Sequence, residues 1–207
     1  KMTSLATGQT SPDNTGLMIL PWVSLFPGEL LPLYIFELRY RNMLASSLHE
    51  NRMIGIAHST DDTPCDPFAS LGIIRACVTN PDGTLNLILQ GISRVQLSNF
   101  TPDPYPAADY HILQDPKDSI EDHEDLHLRI LSICNSKIIQ GGHVPKQLEE
   151  YLSTLTEASA FADAVASAFV GNPLHRREIF LLRNIKSRLQ LLLSCLETEP
   201  SPEIEEQ

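Results

Sequence analysis

Leu20-Pro21-Trp22-Val23-Ser24-Leu25-Phe26-Pro27-Gly28-Glu29-Leu30-Leu31-Pro32-Leu33-Tyr34-Ile35-Phe36 is the stretch whose reading decides the architecture. Two apolar runs, 17–23 and 29–36, flank a turn through Phe26-Pro27-Gly28. Pro27 fixes one backbone angle and Gly28 tolerates the left-handed one, so the second run starts from a rigid corner. Pro32 inside that run places it at a sheet edge or a bulge, because proline has no N–H to give a central ladder. Outward from this segment, Leu38, Met43, Leu44 and Leu48 recur with helical spacing, which predicts a helix over 38–49. Residues 53–57 read as a buried strand, and 60–70, with Asp61-Asp62, two prolines and Cys65, as a surface loop. Strands at 72–79 and 84–90 flank Asn80-Pro81-Asp82-Gly83, a hairpin turn. Leu85, Leu87 and Leu89 alternate in the second of these, as a strand with a buried face requires. Further strands are expected at 91–100 and 105–113. About seven short strands and one helix imply a closed or nearly closed barrel, since closure removes exposed edges.

After Asp115-Pro116 the pattern turns helical. Leu126, Ile130, Ile133, Cys134 and Ile138 form an amphipathic stripe that Gly141-Gly142 ends. A second helix begins at Pro145, and a third, rich in Ala, runs over 157–170 and stops at Gly171-Asn172-Pro173. Ile179 through Leu196 mark a last helical stretch, broken near Asn184. The expected organisation is a flexible segment 1–16, a β-rich domain 17–115, a helical bundle 116–197 and a disordered acidic tail 198–207.

The 207 residues, 42% hydrophobic and 20% charged, suffice for a sizeable core without disulfide or metal support. The formal charge of −11 opposes phosphate backbones and anionic lipid heads, so neither nucleic acid nor membrane is an expected partner. Cys65, Cys77, Cys134 and Cys195 are scattered without C-x-x-C pairing and read as free thiols of a reducing cytoplasm. Residues 1–16 lack the apolar core of a signal peptide, although the chain opens at Lys1 and a removed presequence stays open. No apolar run approaches the ~20 residues a membrane helix needs.

One segment imitates an enzyme motif. His123-Glu124-Asp125-Leu126-His127 matches H-E-x-x-H, which on a helix sets two histidines on one face for zinc, with the glutamate activating water. Its surroundings, Glu121, Asp122, Asp125 and Arg129, make a charged face that wants water. Negative charge at a helix start also serves the helix dipole. No third ligand has an obvious place, so neither metal nor cofactor is expected and a zinc-dependent hydrolase is kept only as an alternative. No phosphate-binding loop or nucleophile elbow occurs. Arg176, Arg177, Arg183, Lys186 and Arg188 cluster along the last helices and read as a solvated face paired with the chain's own acids rather than as a nucleic-acid patch.

The collinear series of Phe26-Pro27-Gly28, Pro32-Leu33-Tyr34-Ile35-Phe36-Glu37, Arg39-Tyr40, Pro81-Asp82-Gly83, Gly91 with Arg94-Val95, and Pro104-Tyr105-Pro106 resembles the N-terminal substrate-binding domain of Lon proteases, particularly its short stand-alone bacterial relatives. The resemblance runs from about residue 17 to about residue 196. It implies an α+β fold, a PUA-like β pseudo-barrel followed by an α-helical bundle, that recognises protein substrates. It carries no proteolysis, because Lon's ATPase and protease modules have no counterpart in these residues. Pro200, Pro202 and the acidic end fit an independent protein better than a fragment. The expected protein is therefore not an enzyme but an adaptor, regulator or chaperone-like factor, monomeric or weakly self-associating, that binds an unfolded or extended polypeptide or a partner protein. The candidate contact residues are Trp22, Phe26 and Phe68, apolar side chains near loops, while Arg39 and Tyr40 are expected against the barrel wall. A PUA-like RNA-binding protein is the second alternative.

Overall fold

The computed structural model describes residues 13–141 and 146–198. Six strands, β1 (Asp13–Leu20), β2 (Leu30–Ile35), β3 (Met53–His58), β4 (Phe68–Thr79), β5 (Leu85–Thr101) and β6 (Ala107–Leu113), form one sheet, with helix α1 (Leu38–His49) between β2 and β3. Five helices follow: α2 (Glu124–Gly141), α3 (Lys146–Thr154), α4 (Ala158–Phe169), α5 (Pro173–Leu181) and α6 (Ile185–Thr198). The chain is thus α+β, a barrel and then a bundle. Gly142 and Pro145, expected between two helices, lie outside the described residues, as do 1–12 and 199–207 of the expected flexible ends.

The strand order is β2-β5-β4-β3-β1-β6, and β6 pairs back onto β5, which closes a five-stranded barrel. Only β1 and β3 run parallel, a pairing that needs a crossover, and β2 with α1 supplies it. Asp13–Gly16 were expected to be flexible, but they pair with Ala107–Tyr110 of β6. β1 ends at Leu20 because Pro21 follows and Trp22 takes a left-handed φ of 61°.

Six strands stand where about seven were expected, because the runs at 84–90 and 91–100 are one strand. Gly91 does not interrupt it. Gly91 is where the 26–29 corner touches β5: the Gly28 N–H donates to the Gly91 carbonyl and the Gly91 N–H to the Glu29 carbonyl, both at 2.9 Å. A Cβ at Gly91 would sit 2.1 Å from the Phe26 carbonyl oxygen, so this approach tolerates no side chain. Gly28 itself holds φ 87° at the corner. β5 is lined by β4 along one side, and along the other by β2 over its first half and β6 over its second. Register shifts at Leu71/Gly72, Ile74/Ala76 and Ser98/Thr101 bend it around the closure. β2 therefore lies at the sheet edge, where Pro32 costs no ladder bond.

Small residues on the inner wall, Ala57, Ala69 and Ala108, leave room for Leu71, Val95 and Tyr110 and let so narrow a barrel close. A second core packs Met43, Leu44 and Tyr40 of α1 against Ile54, Ile74 and Leu89. The Tyr40 hydroxyl accepts from the Ile19 N–H at 3.2 Å, as its expected place on the barrel wall requires. Arg39 instead stays at the surface, held by Glu37 and Asp62. In the bundle, Ile130, Cys134 and Ile138 bury the predicted α2 stripe. The predicted break falls at Asn184, whose side chain accepts from the Ser187 N–H and caps α6.

Barrel and bundle share a buried charge network. Arg94 of β5 is fully enclosed and forks onto Asp163 of α4 at 2.8 and 2.6 Å, donates to the Phe180 carbonyl and reaches Asp115 at 3.1 Å. Arg188 of α6, also enclosed, bonds the other Asp115 oxygen at 2.9 Å and the Leu182 carbonyl at 2.8 Å. Removing one member of such a set strands charge in a low-dielectric interior. Asp163→Ala is expected to cost about 3–5 kcal/mol of unfolding free energy. Urea denaturation reads this as a lower midpoint at unchanged slope.

Candidate functional site

The three candidate contact residues do not form one surface. Phe26 is 0% exposed and belongs to the core of the helical bundle. Its ring meets the edge of Phe180 at 5.8 Å, and the guanidinium groups of Arg176 and Arg94 stand over it at 5.1 and 5.8 Å. A side chain so enclosed touches no ligand, and the expectation for Phe26 is corrected accordingly. Phe68 is half-buried at the start of β4, its N–H held by Asp66 and its carbonyl by Arg177. Trp22 is 49% exposed, and its ring lies 5.1 Å from that of His58.

Exposed apolar side chains line up elsewhere, on the outer face of β2 and on to Ile88 of β5. Along β2, Ile35 is buried and Leu31 and Leu33 half-buried, whereas Leu30, Pro32 and Tyr34 project outward. Tyr34 is 56% exposed and Phe36 63%, with their ring centroids 6.2 Å apart. Directly opposed residues of antiparallel strands share a face. Pro32 stands opposite Ile88, which is opposite Ala76, and Tyr34 stands opposite Asn86, which is opposite Val78 at 61% exposure. Leu30, Pro32 and Tyr34 therefore form an apolar row along β2 that extends through Ile88 to Ala76, while Asn86 stands between Tyr34 and Val78. Lone exposed apolar residues are ordinary, but a contiguous set on a sheet face marks an interaction surface. Polar pairs rim it, namely Glu37 with Arg39, and Arg75 with Gln90. β2 is an edge strand, but Pro32 interrupts its row of free N–H groups and makes it a poor template for an added strand.

The H-E-x-x-H segment does not assemble a metal centre. Ser119 caps a short 3-10 turn at Ile120–His123, and α2 begins at Glu124, so the motif straddles two helix types. His123 turns to Asp118 at 3.3 Å. His127 packs edge-on against Phe161 at 4.6 Å with its Nε2 buried, and that burial holds its pKa below the usual histidine value. Among the described residues no group of three or more His, Cys, Asp or Glu side chains can hold a metal ion. Cys134 and Cys65 are poor nucleophiles as well. Burial pushes Cys134 up to about 12, and burial together with Asp66 raises Cys65.

Of the five basic residues, Arg176, Arg177 and Arg188 pair with the chain's own acids at a buried interface, whereas Lys186 stays on an exposed face. Arg176 bonds Glu29 and the Ser24 carbonyl, Arg177 bonds Asp66, and Arg183 bonds the Gln114 carbonyl. Burial raises the Glu29 carboxyl above its ordinary value even against the pull of Arg176. Helix α5 thus grips both the 26–29 corner and the 60–67 loop, and four guanidiniums that a phosphate backbone would need are committed internally. No helix among the described residues is long and apolar enough to cross a membrane.

A family model for the ATP-dependent protease La (LON) substrate-binding domain matches residues 16–198. The chain is 25% identical over 196 residues to the Lon protease of Desulfosudis oleivorans, covering 89% of this chain and 24% of that protein. It is 24% identical over 208 residues to the Lon protease of Rhizobium meliloti, covering 94% and 26%. The chain therefore spans about a quarter of the length of these relatives. Among solved structures, the N-terminal domain of Mycobacterium avium complex Lon protease superposes with a TM-score of 0.75 at 14% identity, over 91% of this chain and all of that one. A Lon N-terminal domain protein from Xanthomonas campestris gives 0.66 at 19% identity, over 88% and 98%.

The division between buried and exposed aromatics is measurable by truncation. Phe26→Ala is expected to lose about 3–5 kcal/mol, as a core phenylalanine does. Phe36→Ala should stay within about 0.5 kcal/mol of the parent in the same denaturation experiment.

Proposed function

The chain belongs to the family of ATP-dependent protease La (LON) substrate-binding domains, and from that premise we propose that it is a non-catalytic polypeptide-recognition module. Its contact surface is the outer face of β2, β5 and β4. The observation that carries this reading is the row of Leu30, Pro32, Tyr34 and Phe36, left outward beside Ile88 while every second residue of β2 turns toward the core. Such a face suits apolar side chains of an unfolded or extended client, which a folded protein keeps inside. Trp22 is an additional anchor on the loop before β2, and Phe68 at most a partly covered one.

Covering a large apolar side chain gains roughly 1.5–3 kcal/mol, and association costs at least 4 kcal/mol in lost freedom. Four or five anchors then give dissociation constants on the order of micromolar, suited to sampling many clients. The role is that of an adaptor, regulator or chaperone-like factor, acting in the cytoplasm as a monomer or weak oligomer. The committed arginines and the charge of −11 speak against RNA as the client.

Titrating the chain into a fluorescently labelled, reduced and carboxymethylated protein should give saturable binding by anisotropy. A Tyr34→Ser, Phe36→Ser double variant, folded by circular dichroism, is expected to bind at least tenfold more weakly. Equal affinity of parent and variant would remove this face from the function, and no saturable binding by the parent would remove the function itself.

A further inference from the structure

Trp22 occupies a backbone conformation that an aromatic residue rarely takes, φ 61°, and it lies half-exposed in the loop after β1. A bulky residue held there stores on the order of 1–3 kcal/mol of strain and persists only if a neighbour fixes it. The neighbour is His58 at the end of β3. Its Nδ1 stands 2.9 Å from the Trp22 backbone nitrogen, and the two rings are in contact. A backbone N–H only donates. Nδ1 must therefore be the unprotonated acceptor, with the ring proton on Nε2.

We propose that His58 is a proton-operated latch that sets how Trp22 is presented: neutral, it clamps the strained loop and displays the indole; protonated, it loses the acceptor and releases Trp22. The charged groups facing the ring are Arg177 of α5, which opposes protonation, and Asp66 of the 60–67 loop, which favours it. The Leu20 backbone carbonyl also favours the charged form. Burial comes first among these influences, then Arg177, and together they place His58 below the ordinary histidine value of 6.5. The sign follows: the clamp is complete above 6.5 and is lost as pH falls through the lower folded value. The functional consequence rests on the polypeptide-binding reading, because it makes Trp22 an anchor available at neutral pH and withdrawn on acidification.

Trp22 is the sole tryptophan of the chain, so selectively excited tryptophan emission reports this loop alone. Titrating the full chain from about pH 8 downward should show one step in emission, with quenching by the imidazolium, at a midpoint below 6.5. In His58→Asn, which keeps a side-chain acceptor that does not titrate, the step should vanish while the neutral-pH spectrum and circular dichroism are kept. A step that survives in His58→Asn, or a flat titration of the parent, overturns the latch. In a second arm, anisotropy with the carboxymethylated protein should show binding weakened severalfold on acidification in the parent and not in His58→Asn. Equal weakening in both would detach Trp22 from binding and overturn the proposed consequence. An emission step without polypeptide binding at any pH would support the latch and overturn the polypeptide-binding reading.

Discussion

A guanidinium enclosed in protein must find its counter-charge within reach, and Arg94 imposes that requirement on the whole molecule. β5 brings Arg94 inward beside Asp115, which lies just past β6. The second carboxylate, Asp163, comes from α4 and meets both guanidinium nitrogens. Arg188 then completes a set of two arginines and two aspartates in which each aspartate meets both arginines. Such a set stabilises less than its Coulomb energy suggests, since desolvation opposes it. What it does fix is geometry, because the forked contacts of Arg94 on Asp163 tie α4 of the bundle to β5 of the barrel in one orientation.

The same logic repeats around α5. Arg176 reaches the corner before β2, Arg177 reaches the loop before β4, and Phe180 packs on Phe26 beneath Arg94. The helices thus cover the end of the barrel where the Phe26-Pro27-Gly28 corner meets Gly91. The outer face of β2 and its neighbours lies away from these contacts, so its alternating pattern stays apolar on both sides while only one side is covered. A rigid scaffold with one uncovered apolar face is what recognition of non-native polypeptide needs, because the face need not be ordered at the moment of binding.

Local chemistry was legible from the residues. The Gly28 corner, the Asn80–Thr84 turn, the edge position of Pro32, the Ile130-Cys134-Ile138 stripe and the break at Asn184 all follow from backbone preference or periodicity over a few residues. What was not legible depends on partners far away in the chain. Gly91 looks like a strand break until the 26–29 corner is brought against it. Phe26 looks like a loop aromatic until α5 covers it. The outer face could not be separated from the inner one, since 30–36 is apolar at nearly every position and periodicity does not say which side receives a second layer. Arg176, Arg177 and Arg188 were paired with acids correctly in kind, yet their burial follows from the docking of the helices, which no local pattern encodes.

If the charge network makes barrel and bundle one cooperative body, the two must open together. Native-state hydrogen exchange of the full chain measures this most directly. The slowest amides of β5 and of α4 should report opening free energies that agree within about 1 kcal/mol and fall together with added denaturant. If the α4 amides exchange through an opening several kcal/mol cheaper than that of β5, the bundle unfolds by itself and the account built on Arg94 is contradicted.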